Sequence, residues 1–336
     1  MTNIRTVADL AKVSVATVSR TLKQPQLVSV KTREKVVAAV KQAGYRPNLM
    51  AVKFRSGKTN NLVVLVPTIA NVFFARVFSG MQKVADERQY SLLLCNTQGN
   101  IEIETHYARM VQTSQADGLI QLSASNPFEQ LNHGVTDKLP MVNACEVMDK
   151  TTCPTVMLDN RAAAFDMTEY LISLGHQHIA MLKGPLRSPL TRDRVAGYQD
   201  ALRQAQIPMR EEYLLLGDFT LQAGYDAASE VMQLATRPSA IFCENDEMAI
   251  GLMKGLKEHG LRIPEDISIA GFDDIAFAQY SDPPLTTIAQ PAEEFGRIAV
   301  TLLIELLEGR LTKAPKVILP YELISRASTG PAKPLN

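Results

Sequence analysis

Short apolar runs alternate with longer amphipathic stretches from residue 62 onward, and this alternation constrains the fold more than any other feature of the sequence. The runs have the length and composition of strands buried on both faces, and helical periodicity fills the intervals between them. They are LVVLV (62–66), SLLLC (91–95), GLIQL (118–122), MVN (141–143), TVML (155–158), IAML (179–182), YLLL (213–216), AIFC (240–243) and ISIAGF (267–272). Two successive sets of parallel βα units predict an α/β fold with two doubly wound lobes.

The first 60 residues form a separate and strongly basic segment. They contain twelve Lys or Arg and two acidic residues, a net charge of +10, whereas the whole chain has 35 basic and 35 acidic residues. The remainder therefore carries −10, and the two parts are expected to have different partners. The length of 336 residues and the hydrophobic content of 46% also suit about two domains.

Three short helices are predicted within the basic segment, because apolar residues recur there at helical spacing. Thr6 is the expected N-cap of the first helix and Ser14 of the second. Either Ser29 or Thr32 is the expected N-cap of the third. Only Lys12–Ser14 separate the first two helices, a spacing typical of a helix-turn-helix, whose second helix enters the major groove of DNA.

The second helix is the candidate recognition helix. The side chains predicted to face outward are Val15, Ala16, Ser19 and Arg20. Thr17 is expected near a phosphate, while Val18 and Leu22 are expected to point inward. Arg20 is the best candidate for a bidentate contact with guanine, because its guanidinium matches the O6 and N7 acceptors. Charge alone would also suit a solvated face, but the short turn and the capped second helix favour DNA binding.

Residues 46–60 are predicted to form a hinge between a headpiece, residues 1–45, and the acidic segment. Pro47 ends the preceding helix, Asn48 can cap a short new helix, and Gly57 stops it. An isolated helix of about nine residues is marginal in water, so we expect this one to fold mainly when DNA and a second copy of the chain stabilise it.

Three stretches of the basic segment resemble the headpiece of the lactose-repressor family: TVADLAKVSVATVSRTL (6–22), VSVKTREKV (28–36) and GYRPN (44–48). The resemblance implies operator reading by the residues at positions 15, 16 and 20. One departure is Lys12, where the family often has Gly, the residue for which a left-handed turn is cheapest.

The resemblance also implies roles near the hinge. Tyr45 and Arg46 would contact the DNA backbone, and paired hinge helices would lie in the minor groove. Phe54 stands where the family usually has a Leu that wedges between base steps. Packing of Phe54 on its own headpiece is the alternative. The candidate DNA-binding residues are Thr6, Ser14, Val15, Ala16, Thr17, Ser19, Arg20, Lys23, Tyr45, Arg46, Asn48 and Phe54.

Candidate ligand residues follow the apolar runs, because doubly wound sheets bind ligands at the carboxyl ends of their strands. They are Phe73 and Phe74 in the loop after the first run, and then Ser123, Glu146, Asp159, Asn160, Ser188, Leu190, Arg194, Phe219, Asn245 and Asp273. Stacking aromatics, a few acceptors and one guanidinium suit a neutral polyhydroxylated or nucleoside ligand. Phosphate-loop and dinucleotide motifs are absent from the sequence. For each of these residues the alternative is a loop polar group that caps a helix.

The family resemblance extends over essentially the whole chain. It implies a periplasmic-binding-protein fold with three connections between lobes, near Asp159, near Thr287–Pro291 and near Leu319. The domain beyond residue 60, which would bind the effector and dimerise, is 61–336. Its first lobe is expected to comprise residues 61–159 and 290–319, and its second lobe residues 160–289 and 320–336.

Several stretches resemble nucleoside-responsive members of the family. They are LDNRAAAFD (158–166), GPLRSPL (184–190), GDFTLQAG (217–224), AIFCENDEMAIG (240–251) and DPPLTTIAQP (282–291). The resemblance implies ligand contacts by Arg194, Phe219 and Asp273. Ser188 and Leu190 stand where purine-responsive members have Arg and Thr, which disfavours a purine base.

Other classes of function find little support in the sequence. The amino terminus lacks the pattern of a secretory signal, and the longest apolar stretch, Leu62–Pro67, is far shorter than the roughly 20 residues of a membrane span, so we expect a cytoplasmic protein. The four cysteines form no C-x-x-C pair, and His176 and His178 lack further ligands at metal spacing. With no recognised catalytic constellation, we expect neither an enzyme nor a cofactor or metal.

The sequence therefore predicts a homodimeric transcriptional repressor that binds a pseudopalindromic operator under the control of a small ligand. A nucleoside such as cytidine is the expected effector, and another DNA-bound regulator is a possible further partner. The alternatives are a pentose- or hexose-responsive regulator of the same family, a solute-binding module, and a sugar or nucleoside enzyme that carries a DNA-binding segment.

Overall fold

The computed structural model of the chain describes residues 3–45, 58–129, 131 and 139–333. They fall into two units, Met1–Thr59 and Asn60–Asn336. Each unit has its own buried core, so the change from basic to acidic composition coincides with a change of fold.

The first unit is a three-helix headpiece. Its helices are α1 (Ile4–Ala11), α2 (Val15–Lys23) and α3 (Val30–Ala43), and a single 3₁₀ turn, Pro25–Leu27, separates the last two. A small apolar core holds the helices together, and its buried members are Val7, Ala8, Ala11, Val18, Val36 and Ala39.

The second unit contains two six-stranded sheets. The first sheet has the order β11-β5-β4-β3-β1-β2, in which the strands are β1 (Asn61–Val66), β2 (Ser91–Asn96), β3 (Gly118–Gln121), β4 (Met141–Ala144), β5 (Thr155–Leu158) and β11 (Lys316–Leu319). The second has the order β12-β10-β9-β8-β6-β7, in which the strands are β6 (Ile179–Lys183), β7 (Leu214–Leu216), β8 (Ala240–Cys243), β9 (Ser268–Asp273), β10 (Thr286–Ala289) and β12 (Glu322–Ile324). The predicted pair of doubly wound α/β lobes is confirmed.

One strand departs from the parallel pattern. β12 pairs antiparallel with β10, whereas the other strand pairs of the described residues are parallel. Only Pro320 and Tyr321 separate β11 from β12. With no room for a crossover helix, the chain enters the second sheet directly from the carboxyl end of β11 and runs opposite to β10.

Within the described residues, seven α-helices flank the two sheets. They are α4 (Val72–Glu87), α5 (Ile101–Gln112), α6 (Asn160–Ser173), α7 (Pro189–Gln204), α8 (Leu221–Gln233), α9 (Asp246–Glu258) and α10 (Ala292–Leu307). The chain passes between lobes at Asp159, at Gln290–Pro291 and at Pro320–Tyr321. All three passages lie at carboxyl ends of strands, the edge at which ligands bind in such sheets.

Two glycines allow α4 and α10 to cross closely. An added Cβ on Gly296 would lie 1.9 Å from the carbonyl oxygen of Val77, and one on Gly80 would lie 1.9 Å from that of Glu293. Because these contacts are with backbone, a side chain could enter only if the helices separated. The crossing therefore fixes α4, whose first turn carries Phe73.

Gly296→Ala should destabilise the second unit by about 1–3 kcal/mol, because the added methyl group forces the helices apart. Urea unfolding of the full chain measures the effect. The exposed neighbour Arg297 provides a control on the same helix, and Arg297→Ala should change stability by less than about 0.5 kcal/mol. Unfolding of Gly296→Ala at the wild-type urea midpoint would contradict the role of this crossing.

Candidate effector cavity and DNA-binding helix

A capped second helix and a tight turn define the helix-turn-helix. Ser14 is the N-cap of α2, and its Oγ accepts a hydrogen bond from the Thr17 backbone N–H at 3.1 Å, as predicted. Lys12 ends α1 in the left-handed conformation with φ 53°, so the position that favours glycine is occupied here by lysine. Ser29 is the N-cap of α3.

The predicted N-cap of the first helix is wrong. Asn3 caps α1, and its Oδ1 accepts hydrogen bonds from the backbone N–H groups of Arg5 and Thr6. Thr6 lies inside the first turn, because the helix begins three residues earlier than the apolar periodicity indicated. An asparagine side chain satisfies the free N–H groups as well as a threonine would.

The face of α2 also differs from the prediction at one position. Val15, Ala16 and Arg20 are exposed, and Ser19 is half-buried. Val18 is buried as expected, but Leu22 is 37% exposed, so its predicted inward orientation is wrong.

Thr21 is the second inward residue of α2. It is buried, and its Oγ1 donates to the Thr17 carbonyl oxygen at 2.8 Å. Thr21 follows Val18 by three positions and faces the small core, and its polar atom is satisfied within the helix. Leu22 is one position further around the helix and lies outside that core.

Two further headpiece candidates, Lys23 and Tyr45, lie within the described residues. Lys23 is exposed at the end of α2, and Tyr45 packs against the headpiece core. Arg46, Asn48 and Phe54 lie outside the described residues.

A cavity of about 550 Å³ lies between the carboxyl edges of the two sheets. Eleven of the twelve candidate ligand residues line it, namely Phe73, Phe74, Ser123, Glu146, Asn160, Ser188, Leu190, Arg194, Phe219, Asn245 and Asp273. They come from both lobes and from eight separate segments of the chain.

Asp159 is the exception. Its Oδ1 accepts a hydrogen bond from the Ala162 N–H at 2.9 Å and thereby caps α6, so it does not line the cavity. The helix-capping alternative applies to this residue. The loop assignment of the two phenylalanines is also wrong, because Asn71 caps α4 and places Phe73 and Phe74 in its first turn.

Arg194 is buried at the second-lobe end of the cavity. Its Nε donates to Asn160 Oδ1 at 2.9 Å, and its Nη1 donates to the Glu244 carbonyl oxygen. Its guanidinium lies 3.6 Å from the ring centroid of Phe272. Burial lowers the pKa of Arg194, while the carboxylates of Asp273 and Glu244 oppose that shift.

Asp273 ends β9 beside this arginine. Its Oδ1 accepts a hydrogen bond from Gln290 Nε2 at 2.6 Å, and its backbone has a φ of 114°. Burial raises the pKa of Asp273 to about 7, and Arg194 limits the increase. Gln290 sits at the second passage between lobes, so Arg194 and Asp273 each bind a residue at such a passage.

The position of the Phe219 ring depends on a glycine. An added Cβ on Gly184 would lie 2.1 Å from Phe219 Cζ, so only glycine leaves room for the ring. Phe219 has a φ of 72°, and Asn245 Nδ2 donates to its carbonyl oxygen at 2.9 Å. Asn245 Oδ1 also accepts from the Met248 N–H, so this side chain caps α9 as well as lining the cavity.

Hydrogen bonds cross the cleft at both rims. Ser188 Oγ donates to the Glu146 carboxylate, and burial raises the pKa of Glu146. Arg76 Nη1 donates to the Asp274 carbonyl oxygen at 3.0 Å. These contacts join the first lobe to the second.

Sequence reasoning missed Glu104 and Gln290, which also line the cavity. Glu104 is 1% exposed and lies on the same face of α5 as the buried residues Thr105, Ala108 and Val111. The available signal was that Glu104 lies on the inward-facing side of this helix. Charged residues are rarely buried unless they are paired, so a carboxylate at such a position indicates a partner.

His176, which the sequence analysis considered as a metal ligand, has a structural environment instead. His176 is buried among Ser239, Ser268 and the Gly330 carbonyl oxygen, and burial lowers its pKa. Across the described ranges, no cluster of three or more His, Cys, Asp or Glu side chains could hold a metal ion. No helix in the described part of the chain has the length and apolar composition needed to span a bilayer.

A helix-turn-helix headpiece and a two-lobed fold with a cavity between the lobes define a class of DNA-binding regulators that respond to small ligands. Comparison with known proteins specifies the family. The profile of bacterial regulatory proteins of the lacI family matches residues 3–48, and that of the periplasmic binding protein-like domain matches residues 168–329.

Known relatives and solved structures cover nearly the whole chain. The HTH-type transcriptional repressor CytR of Escherichia coli K12 is 38% identical over 97% of this chain and 96% of its own length. The lac repressor dimer bound to operator and the anti-inducer ONPF matches with a TM-score of 0.85 and 30% identity, over 96% of this chain and 98% of that one. A lacI-family regulator from Enterococcus faecium with bound ribose matches with a TM-score of 0.72 and 31% identity, over 81% of this chain and all of that one.

The chain belongs to the lacI family of DNA-binding transcriptional repressors, which confirms the resemblance found in the sequence.

The buried Glu244 should make stability depend on pH. Burial raises its pKa from 4.5 to about 7, so the folded protein binds this proton more tightly than the unfolded chain does. The resulting stabilisation is complete below pH 4.5 and is lost as the pH rises to about 7, for a total of about 3 kcal/mol.

Chemical unfolding between pH 5 and pH 8 tests this dependence. Glu244→Gln should lose less stability over the interval than the wild type does, while the exposed control Glu230→Gln should behave like the wild type. Parallel pH profiles for wild type and Glu244→Gln would refute the assignment.

Proposed function

We propose that the chain is a homodimeric repressor whose affinity for a pseudopalindromic operator is controlled by a nucleoside, with cytidine as the first candidate. The observation that carries the effector proposal is the chemistry of the cavity. Arg194 and Asp273 lie at its second-lobe end, and aromatic rings from both lobes line its walls.

Each part of a nucleoside has a matching group. The Asp273 carboxylate can accept hydrogen bonds from ribose hydroxyls, and the Arg194 guanidinium can donate to a ring oxygen or a base carbonyl. Phe219 offers a ring for stacking, as does the edge-to-face pair of Phe73 and Phe74, whose ring centroids are 5.5 Å apart. The cavity volume of about 550 Å³ is also within the usual range for small-molecule sites. The 38% identity with CytR, a transcriptional repressor, supports the repressor part of the proposal.

A pentose or hexose effector is the second candidate. The Enterococcus faecium relative that holds ribose favours it, because a free sugar would use the same carboxylate and guanidinium. Calorimetric titration of the full chain with cytidine, ribose and glucose separates these possibilities.

The apolar surface of the second lobe supports a dimer. Phe277 is 58% exposed and Tyr280 is 80% exposed on the loop after β9, and Leu221 and Tyr225 are exposed on α8. Lys257 of α9, which packs against α8, binds Asp282 of that loop at 2.9 Å. Large apolar side chains that remain exposed in one copy are suited to a self-complementary interface with a second copy.

We retain the division into headpiece 1–45, hinge 46–60 and effector-binding domain 61–336 as part of the proposal. Effector binding favours the lobe arrangement to which it binds more tightly, and it shifts operator affinity by that difference. The hinge, with the Phe54 wedge, would transmit the change to the two headpieces.

Arg20→Ala should weaken binding to a selected operator by about 1–3 kcal/mol and relax the preference at one base pair, because a bidentate contact with guanine is lost. Gel-shift titration against an operator selected from random duplexes and against random DNA measures both effects. Lys41→Ala, which removes a positive charge from α3, should cause only a small and uniform loss. An equal loss on both DNAs for Arg20→Ala would assign this residue to phosphate contact.

Asp273→Ala should lower cytidine affinity by about 2–3 kcal/mol, or roughly 30- to 100-fold, because ribose hydroxyls lose their acceptor in a closed cleft. Operator binding without effector should hardly change. The exposed control Asp226→Ala should bind cytidine like the wild type. Wild-type affinity of Asp273→Ala for nucleosides and pentoses would contradict the proposed site.

The pKa of Asp273 adds a second measurement. Because this pKa is about 7, the carboxylate is more fully ionised at pH 8 than at pH 6, and wild-type cytidine affinity should rise across that interval. Calorimetry of Asp273→Asn should show a smaller rise.

A further inference from the structure

A buried carboxylate organises the polar side chains at the first-lobe end of the cavity. Glu104 accepts hydrogen bonds from Ser123 Oγ at 2.9 Å and from Gln121 Nε2 at 3.0 Å, and Ser125 Oγ also donates to it. We call Glu104, Gln121, Ser123 and Ser125 the first-lobe cluster. Glu104 and both serines line the cavity from the first lobe, whereas Asp273 lines it from the second.

The carboxylate fixes the direction of the serine hydroxyls. A serine has one proton to donate and two lone pairs, whereas a carboxylate only accepts. The two hydroxyl oxygens also lie 3.1 Å apart, within hydrogen-bonding distance of each other. When both protons go to Glu104, the hydroxyl oxygens of Ser123 and Ser125 can only accept further hydrogen bonds. The Gln121 amide is likewise engaged, since Nε2 donates to Glu104 and also to Ser125 Oγ at 2.9 Å. The cluster thus offers acceptors to a ligand.

Glu146 adds another acceptor to the same end of the cavity. One of its oxygens, Oε1, accepts from Ser188 Oγ, which leaves Oε2 to bind a ligand. Arg187 also lines the cavity, but its side chain is exposed at the rim. A hydrogen-bond donor on the ligand is therefore matched by these oxygens, and a carbonyl oxygen placed against them would face other oxygens without a proton between them.

We propose that the first-lobe cluster and Glu146 form a subsite for an amino group on the base of the effector. This inference rests on the proposed nucleoside function and specifies which nucleosides the site accepts. With the ribose at Asp273, the base extends toward the first lobe. Cytosine presents an exocyclic amine where uracil presents a carbonyl oxygen, so the cluster selects cytidine over uridine.

Calorimetric titration of the full-length chain with cytidine, uridine and ribose tests the subsite. The wild type should bind cytidine at least about tenfold more tightly than uridine, the ratio that one ordinary hydrogen bond supplies. In Glu104→Gln the new amide donates, so a serine hydroxyl can turn toward the cavity. That variant should lose most of the preference for cytidine, while ribose binding, if detectable, should stay at its wild-type value.

A matched control lies two residues away on the same helix. Glu102→Gln changes an exposed carboxylate in the first turn of α5 and should keep the wild-type preference. Ser125→Ala removes one acceptor oxygen and leaves the buried carboxylate in place. Ser125→Ala should reduce the preference for cytidine severalfold. This variant tests the subsite by itself if Glu104→Gln fails to fold.

Two outcomes separate this subsite from the proposed function. If the wild type binds cytidine and uridine equally, or if Glu104→Gln and Ser125→Ala both retain the wild-type ratio, the amino-group subsite is overturned and the nucleoside proposal stands. If neither nucleoside binds, the effector class and the subsite are both overturned.

Discussion

The buried guanidinium of Arg194 is the interaction on which the effector-binding domain depends most. It bonds to Asn160 and to the Glu244 carbonyl oxygen, stacks on Phe272, and faces the carboxylate of Asp273. A buried charge is tolerated only when it is paired and hydrogen-bonded, so these groups must converge for the domain to fold. They come from three separate segments of the second lobe, one of which begins at a passage between lobes. The requirement to satisfy one cation therefore holds these segments together at the cavity wall.

The two ends of the cavity differ in hydrogen-bonding character. At the second-lobe end the arginine donates and the aspartate accepts, so a ligand with mixed hydroxyl and carbonyl groups is satisfied there. At the first-lobe end Glu104 turns the serines into acceptors. This asymmetry orients a ligand as well as holding it, because the reversed pose would leave polar groups unpaired in a closed cleft.

Much of this architecture was predictable from the sequence, and the exceptions have physical causes. Strands buried on both faces must be apolar, so runs such as residues 62–66 identified the sheets directly. Helix starts were less certain, because Asn3 and Thr6 can both cap a helix and only the backbone decides between them. Leu22 was misplaced because the headpiece core is too small to bury every apolar residue of α2. Glu104 was missed because its role depends on Ser123 and Ser125, which are distant in sequence and meet it only after the sheet has formed.

The three passages between lobes define where one lobe can rotate relative to the other. Asn160 and Gln290 belong to two of these passages and also line the cavity, so a ligand binds close to the axis about which one lobe can turn against the other. Asn61, at the amino end of β1, lies a strand length of roughly 20 Å from that edge of the sheet. Each degree of rotation therefore displaces Asn61 by roughly 0.3 Å, given that radius. A small rotation of one lobe at the passages therefore displaces Asn61, at the start of the domain, further than it displaces the residues around the cavity.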